Sequence, residues 1–222
     1  MIKRLEEMIH IQLKNIGKRY AREWIFRGID YEFHSNHSYV ILGSNGSGKS
    51  TLLQIVSSFL TPSEGELKYF NNEHEIEIEK IYQHFSIATP YLELPEEFSL
   101  LEILTFHRKL KAFYNDFSNQ QIVELMDLER AKNKKLSNYS SGMKQRVKLG
   151  LAILSKSDIL LLDEPSANLD AQAIAWYQKL IAEYKKDRIV VVCSNHISAE
   201  YEFCEHEIVM EDYKLTKKKK AK

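Results

Sequence analysis

The chain has 222 residues, 44% of them hydrophobic and 28% charged, the balance of an ordinary soluble domain with enough length to bury a core. That composition excludes collagen-like, disordered and disulfide-scaffold classes. Lys plus Arg and Asp plus Glu both number 31, so the formal net charge is zero and no global field points to nucleic acid or to an acidic partner.

At the N-terminus Lys3 and Arg4 alternate with Glu6 and Glu7 and no apolar h-region follows, which predicts no secretory signal and a cytoplasmic location. The segment from about Ile9 to Phe33 reads as strands with turn residues at Asn15, Gly17 and Gly28. Tyr39 to Leu42 is apolar throughout, as a buried parallel strand is. After the glycine-rich stretch that follows it, Leu52, Leu53, Ile55, Val56 and Phe59 recur at helical spacing, closed by Thr61, Pro62 and Gly65. Glu66 to Phe70 predicts another strand, and Glu73 to Lys80 alternates charge with Ile76 and Ile78. From about Pro95 to Ser157 the period is helical, with Leu100, Ile103, Leu104 and later Ile122, Val123 and Met126, which predicts a helical lobe inserted into an α/β core. Ile159 to Leu162 and Ile189 to Cys193 return to short apolar strands around a helical Ala171 to Lys185, the alternation of a parallel sheet covered by helices. These are also the longest apolar runs, far short of the about 18 residues that a membrane-spanning helix needs. Cys193 and Cys204 sit in unlike contexts without metal-type spacing and read as reduced, structural thiols.

Gly43 to Ser50 satisfies G-x-x-x-x-G-K-[ST] between a predicted strand and a predicted helix, the context of a P-loop. Gly43, Gly46 and Gly48, with Ser44, Asn45 and Ser47 between them, let backbone amides curl around phosphate oxygens, and the helix N-terminus at Lys49, Ser50 and Thr51 adds partial positive charge. Lys49 is expected to reach the β- and γ-phosphates and Ser50 to ligate magnesium. The apolar strand Ile159 to Leu162 ends in two carboxylates: Asp163 as the magnesium-holding Walker B residue, Glu164 as general base toward the attacking water.

With these motifs in register, nearly the whole chain resembles the nucleotide-binding subunit of ATP-binding cassette (ABC) transporters. The family's signature segment, commonly LSGGQ, is matched in part by Tyr139-Ser140-Ser141-Gly142-Met143, where Ser141 replaces a glycine and Met143 the glutamine. The resemblance implies that Ser140, Ser141 and Gly142 face a γ-phosphate held by a second subunit, that Asp170 in Ser166 to Asp170 is the D-loop aspartate at the dimer seam, and that His196 contacts the γ-phosphate. It implies an adenine-stacking aromatic before the P-loop, for which Tyr20 is the first choice and Trp24 the second. One position departs from the pattern. Counting back twelve residues from Glu102, in the family's L-T-x-x-E type segment, lands on Pro90 where a glutamine is expected, and Gln83 lies seven residues too early. The missing amide predicts altered coupling between core and lobe.

The expected architecture is a P-loop NTPase core with a mostly parallel sheet, an antiparallel β part on the N-terminal side and an inserted α-helical lobe, divided as 1–90, 91–158 and 159–222. The expected function is ATP hydrolysis with Mg2+ that powers a transporter, exporter-type by its compact size, through head-to-tail dimerisation with a homo- or heterodimeric partner. Integral-membrane permease subunits would be separate chains, no nucleic acid is expected, and the subunit would sit at the inner face of the cell membrane. Two rivals remain at this point: a soluble, non-transport cassette ATPase, and a nucleotide-binding subunit with weak turnover. The terminal lysines Lys217 to Lys220 suit either an anionic membrane surface or a solvated tail.

Overall fold

The computed structural model describes residues 8–214, so the C-terminal lysine run lies outside the described residues. Two sheets form the body. The first has the order β2-β1-β4-β5, from β1 (Ile9–Tyr20), β2 (Glu23–His34), β4 (Glu64–Asn71) and β5 (His74–Ile76), all neighbours antiparallel. The second has the order β6-β7-β8-β3-β9 and is parallel throughout, from β3 (Ser38–Leu42), β6 (Phe85–Ala88), β7 (Ile159–Asp163), β8 (Ile189–Ser194) and β9 (His206–Val209).

The turns expected at Asn15, Gly17 and Gly28 are bulges. Asn15 and Gly28 adopt φ of 50° and 74°, the Asn15 amide donates to Asp30 at 2.8 Å, and the β1–β2 register shifts between Leu13 and Ile16. Residues that tolerate a left-handed backbone serve a bulge as well as a turn, so their types alone do not separate the two. The hairpin reverses at Ala21 and Arg22 instead. The bulge also dictates its neighbour: a Cβ at Gly65, whose φ is 87°, would stand 2.3 Å from the Asn15 carbonyl oxygen and 2.4 Å from that of Lys14. Gly65→Ala is therefore expected to cost about 2 kcal/mol, read as a lower urea midpoint.

Helix α1 (Lys49–Val56) stops earlier than its apolar spacing predicts, because Ser58 turns left-handed at φ 64°. Phe59 is consequently 69% exposed, its ring edge-on to Phe85. The inserted lobe holds α2 (Leu100–Leu110), α3 (Asn119–Leu125) and α4 (Ser141–Leu154). Capping boxes start the first two, Ser99 with Glu102 and Ser118 with Gln121. Helix α5 (Ala171–Tyr184) starts at the Asp170 side chain, which accepts from the Ala173 amide at 2.8 Å.

The parallel sheet is buried on both faces, as its unbroken apolar runs predict. Leu160, Leu162, Val190 and Val192 face the lobe and α5, while Ile41, Leu161 and Val191 face α1 and the antiparallel sheet. The strands β6 and β9 were not visible as strands in the sequence: both are four residues long, and β9 begins with the exposed His206 and Glu207. Both cysteines are free, Cys193 buried and Cys204 half-buried.

Candidate functional site

Leu42 pairs with Ser194, and Cys193 with Asp163, so β3, β8 and β7 end side by side. The glycine loop, the two carboxylates and His196 thus open at the C-terminal edge of one parallel sheet, where open α/β sheets hold ligands.

In the glycine loop Ser44, Asn45 and Gly46 are exposed, Gly43, Ser47 and Lys49 are buried, and Gly48, Ser50 and Thr51 are half-buried. Gly48 is the residue before α1; a Cβ there would meet Ile25 at 2.7 Å and Phe26 at 2.9 Å, so strand β2 is laid directly on the loop. No acidic side chain occupies the first turn of α1 and no side chain caps it, which leaves its amides free for an anion. Lys49 curls back over the loop, its ammonium donating to the carbonyls of Gly43 at 2.8 Å and Ser44 at 3.3 Å.

Asp163 is 2% exposed, and its Oδ1 and the Ser47 hydroxyl have no hydrogen-bond partner among the described residues. Burial pushes the Asp163 carboxyl above its ordinary range, while the nearby Ser50 hydroxyl and Lys49 ammonium pull the other way. A buried carboxylate with an orphaned oxygen and a hydroxyl beside it fits a hard cation. No group of three His, Cys, Asp or Glu among the described residues is placed to hold a metal ion.

Glu164 is half-buried with φ 47°, its amide donating to the Cys193 carbonyl at 3.0 Å. His196 is exposed with φ 59°. Both residues at these adjacent strand ends thus hold a left-handed backbone, a conformation that the chain also uses in several of its turns.

The segment after Glu164 is fixed from two sides. Gln145 of α4 donates to the Pro165 carbonyl at 3.0 Å. Glu200, fully buried, receives the Ser166 amide at 3.0 Å and the Ser166 hydroxyl at 2.6 Å, and its own carbonyl accepts from Tyr177. Sequence reasoning missed Glu200, because an acidic residue in a polar stretch carries no signal of burial. Ser140 caps α4 by accepting from the Met143 amide at 3.2 Å. Gly142 is required by close approach, since a Cβ would lie 2.9 Å from the Asn168 carbonyl. Ser140, Ser141, Gly142 and Asp170 share a cleft of about 820 Å³ that includes no residue of the glycine loop. One chain therefore brings Lys49, Ser50, Asp163, Glu164 and His196 to one edge and leaves Ser140, Ser141 and Gly142 at a separate opening.

Tyr20 ends β1 and is 49% exposed, with the Lys18 ammonium 5.4 Å from its ring centroid. Trp24 is already covered by the guanidinium groups of Arg19 and Arg27, at 5.6 and 4.6 Å. Gln83 lies ahead of β6 with its amide on Tyr82, so it does not replace the missing glutamine. Instead the Pro90 carbonyl accepts from Lys148 of α4 at 3.1 Å, and Lys144 pairs with Glu96.

A family model described as ABC transporter matches residues 26–167. An ABC transporter ATP-binding protein of Bacillus subtilis (strain 168), YybJ, is 28% identical over 186 residues, 84% of this chain and 85% of its own length. The linearmycin resistance ATP-binding protein LnrL of the same organism is 27% identical over 197 residues, 87% of this chain but 63% of LnrL. Among solved structures, the dimeric post-hydrolysis state of the ATP-binding cassette MJ0796 superposes with a TM-score of 0.76 at 22% identity, covering 92% of this chain and 96% of that one. The chain belongs to the ABC transporter family. Within it, the chain is the component that binds and hydrolyses ATP.

Proposed function

We propose that this chain is the ATPase subunit of an exporter-type transporter and that its site works only when two subunits meet head to tail. What carries the reading is the separation of the two half-sites: the glycine loop and carboxylates open at one edge, and Ser140, Ser141 and Gly142 at a cleft without them. In this reading the loop amides from Gly43 to Thr51 other than that of Ser44, which is bonded to Glu211, hold the phosphates together with the Lys49 ammonium, and Tyr20 stacks on adenine. Ser50 and Asp163 would hold magnesium, which when bound would supply positive charge to the phosphates. Glu164 accepts the proton of the attacking water at its carboxylate, and His196 orients the γ-phosphate. The partner's signature helix closes the site with its N-terminal amides, and Asp170, which caps α5 beside that cleft, lies at the seam. ATPase rate per subunit is expected to rise with protein concentration at saturating ATP. A rate independent of concentration would overturn the shared site.

The membrane partner would dock on the lobe, where Tyr82, Leu92, Phe98, Phe106 and Leu110 line an apolar groove of about 1210 Å³. Phe106 and Leu110 are 62% and 70% exposed, an arrangement that calls for a covering surface. That LnrL is a resistance protein supports export, and the docking sets the location at the inner membrane face. Phe106→Asp with Leu110→Asp is expected to abolish co-purification with membranes while the free subunit's ATPase rate stays within about twofold.

A further inference from the structure

The glycine loop has a support that comes from the far end of the chain. Strand β9 runs parallel beside β3, with Val209 opposite Leu42, so the residues after Val209 emerge next to Gly43. There Met210 is fully buried and anchors a short turn, Met210–Tyr213. Its next residue, Glu211, receives both the amide and the hydroxyl of Ser44 on Oε1, at 2.9 and 3.1 Å. Its Oε2 stands 3.0 Å from where a Cβ of Gly43 would be. Acceptance of the Ser44 amide holds the Glu211 carboxyl below its ordinary range. Ser44 and Gly43 in turn offer their carbonyls to Lys49.

A carboxylate is the wrong charge to place beside a phosphate-binding loop, where it opposes the anion. Here it occupies donors at the loop's entrance, and charge-assisted hydrogen bonds to two donors of one residue define orientation as well as distance. We propose that Glu211 is a positioning residue for ATP binding: it fixes Ser44, and through the Gly43 and Ser44 carbonyls it sets the curl of the loop and the starting place of Lys49. The proposal rests on the reading of Gly43 to Thr51 as the phosphate site.

The test is ATP affinity by calorimetry together with KM and kcat of the full chain. Glu211→Ala, which removes both hydrogen bonds to Ser44, is expected to raise Kd and KM about 5- to 10-fold through a less ordered loop, with kcat within about twofold. Glu211→Gln, whose amide oxygen still accepts from Ser44, is expected to stay within about twofold of wild type in all three. In a Ser44→Pro background, which lacks both donors, adding Glu211→Ala should change nothing further. Wild-type or tighter ATP binding by Glu211→Ala would mean that the carboxylate only repels phosphate and would overturn the proposal, as would equal losses in the Ala and Gln variants. Lys49→Ala separates the two readings. If it abolishes ATP binding while Glu211→Ala does not weaken it, the Glu211 role alone falls; if it binds ATP normally, the phosphate site itself falls.

Discussion

A Glu164→Gln chain is expected to hydrolyse ATP at least about 100-fold more slowly than wild type at saturating ATP, with affinity for ATP within about twofold. The change keeps shape and the left-handed backbone at φ 47°, and the amide bond to Cys193 is made by the main chain, so the loop should not move. What is lost is a carboxylate that can take a proton from water. Asp163 is no substitute: it is buried, at 2% exposure, away from open solvent. Because binding survives and turnover does not, the variant should also accumulate as an ATP-bound dimer, seen as a doubled mass in light scattering with ATP. A kcat within about tenfold of wild type would move the base elsewhere, and the rival of a weak-turnover subunit would be favoured if both proteins were equally slow.

The geometry also shows how the sheet edge bearing Glu164 and His196 and the start of α4 are linked. Pro165, directly after Glu164, is tied to α4 through Gln145. Ser166, next along, is tied to Glu200 in the segment that follows His196. Gly142 in the first turn of α4 touches the Asn168 carbonyl of the same loop. The loop after β7 therefore touches α4 directly, and the loop after β8 is joined to it through Ser166 and Glu200. At Pro90, where the sequence pattern leads to the expectation of a glutamine, the main-chain carbonyl accepts from Lys148 and ties this segment to α4.

Much of this was legible in the chain itself, for reasons that differ by residue. The apolar runs at Tyr39 to Leu42, Ile159 to Leu162 and Ile189 to Cys193 encode strands buried on both faces, and the parallel pairing of exactly these segments puts their ends together. Ser140 and Asp170 were readable as helix starts because a short oxygen-bearing side chain is what a free amide needs. The bulges at Asn15 and Gly28 were not separable from turns, since both use the same backbone region. The end of α1 was misplaced because Phe59 continues the apolar spacing while facing solvent. Glu200, Glu211 and Arg188 were invisible for a common reason: a charged residue reads as surface unless its distant partners are known, and theirs are 34, 167 and up to 35 positions away.

Arg188 leads to the largest expected effect on stability. It is fully buried just before β8, and its guanidinium donates to the Tyr184 carbonyl from Nε at 2.8 Å, and from Nη2 to that same carbonyl and to Ile153 at 2.6 Å. From Nη1 it reaches the Ser155 carbonyl and the Ser157 hydroxyl at 3.4 and 3.3 Å, and it lies 4.9 Å from the centroid of the Tyr114 ring. One planar cation thus caps the C-termini of α4 and α5 together, where carbonyls lack intrahelical partners and the helix dipoles favour positive charge. Burial lowers its pKa to about 10, which still leaves it charged at neutral pH. Arg188→Ala would strand several acceptors and open a cavity, so a loss of about 3–5 kcal/mol is expected in urea unfolding. Arg188→Lys keeps the charge but, with a point-like ammonium, cannot serve both helix ends, and should recover less than half of that loss. A loss below about 1 kcal/mol for Arg188→Ala would mean that water or a rearranged Tyr114 satisfies the helix ends without it.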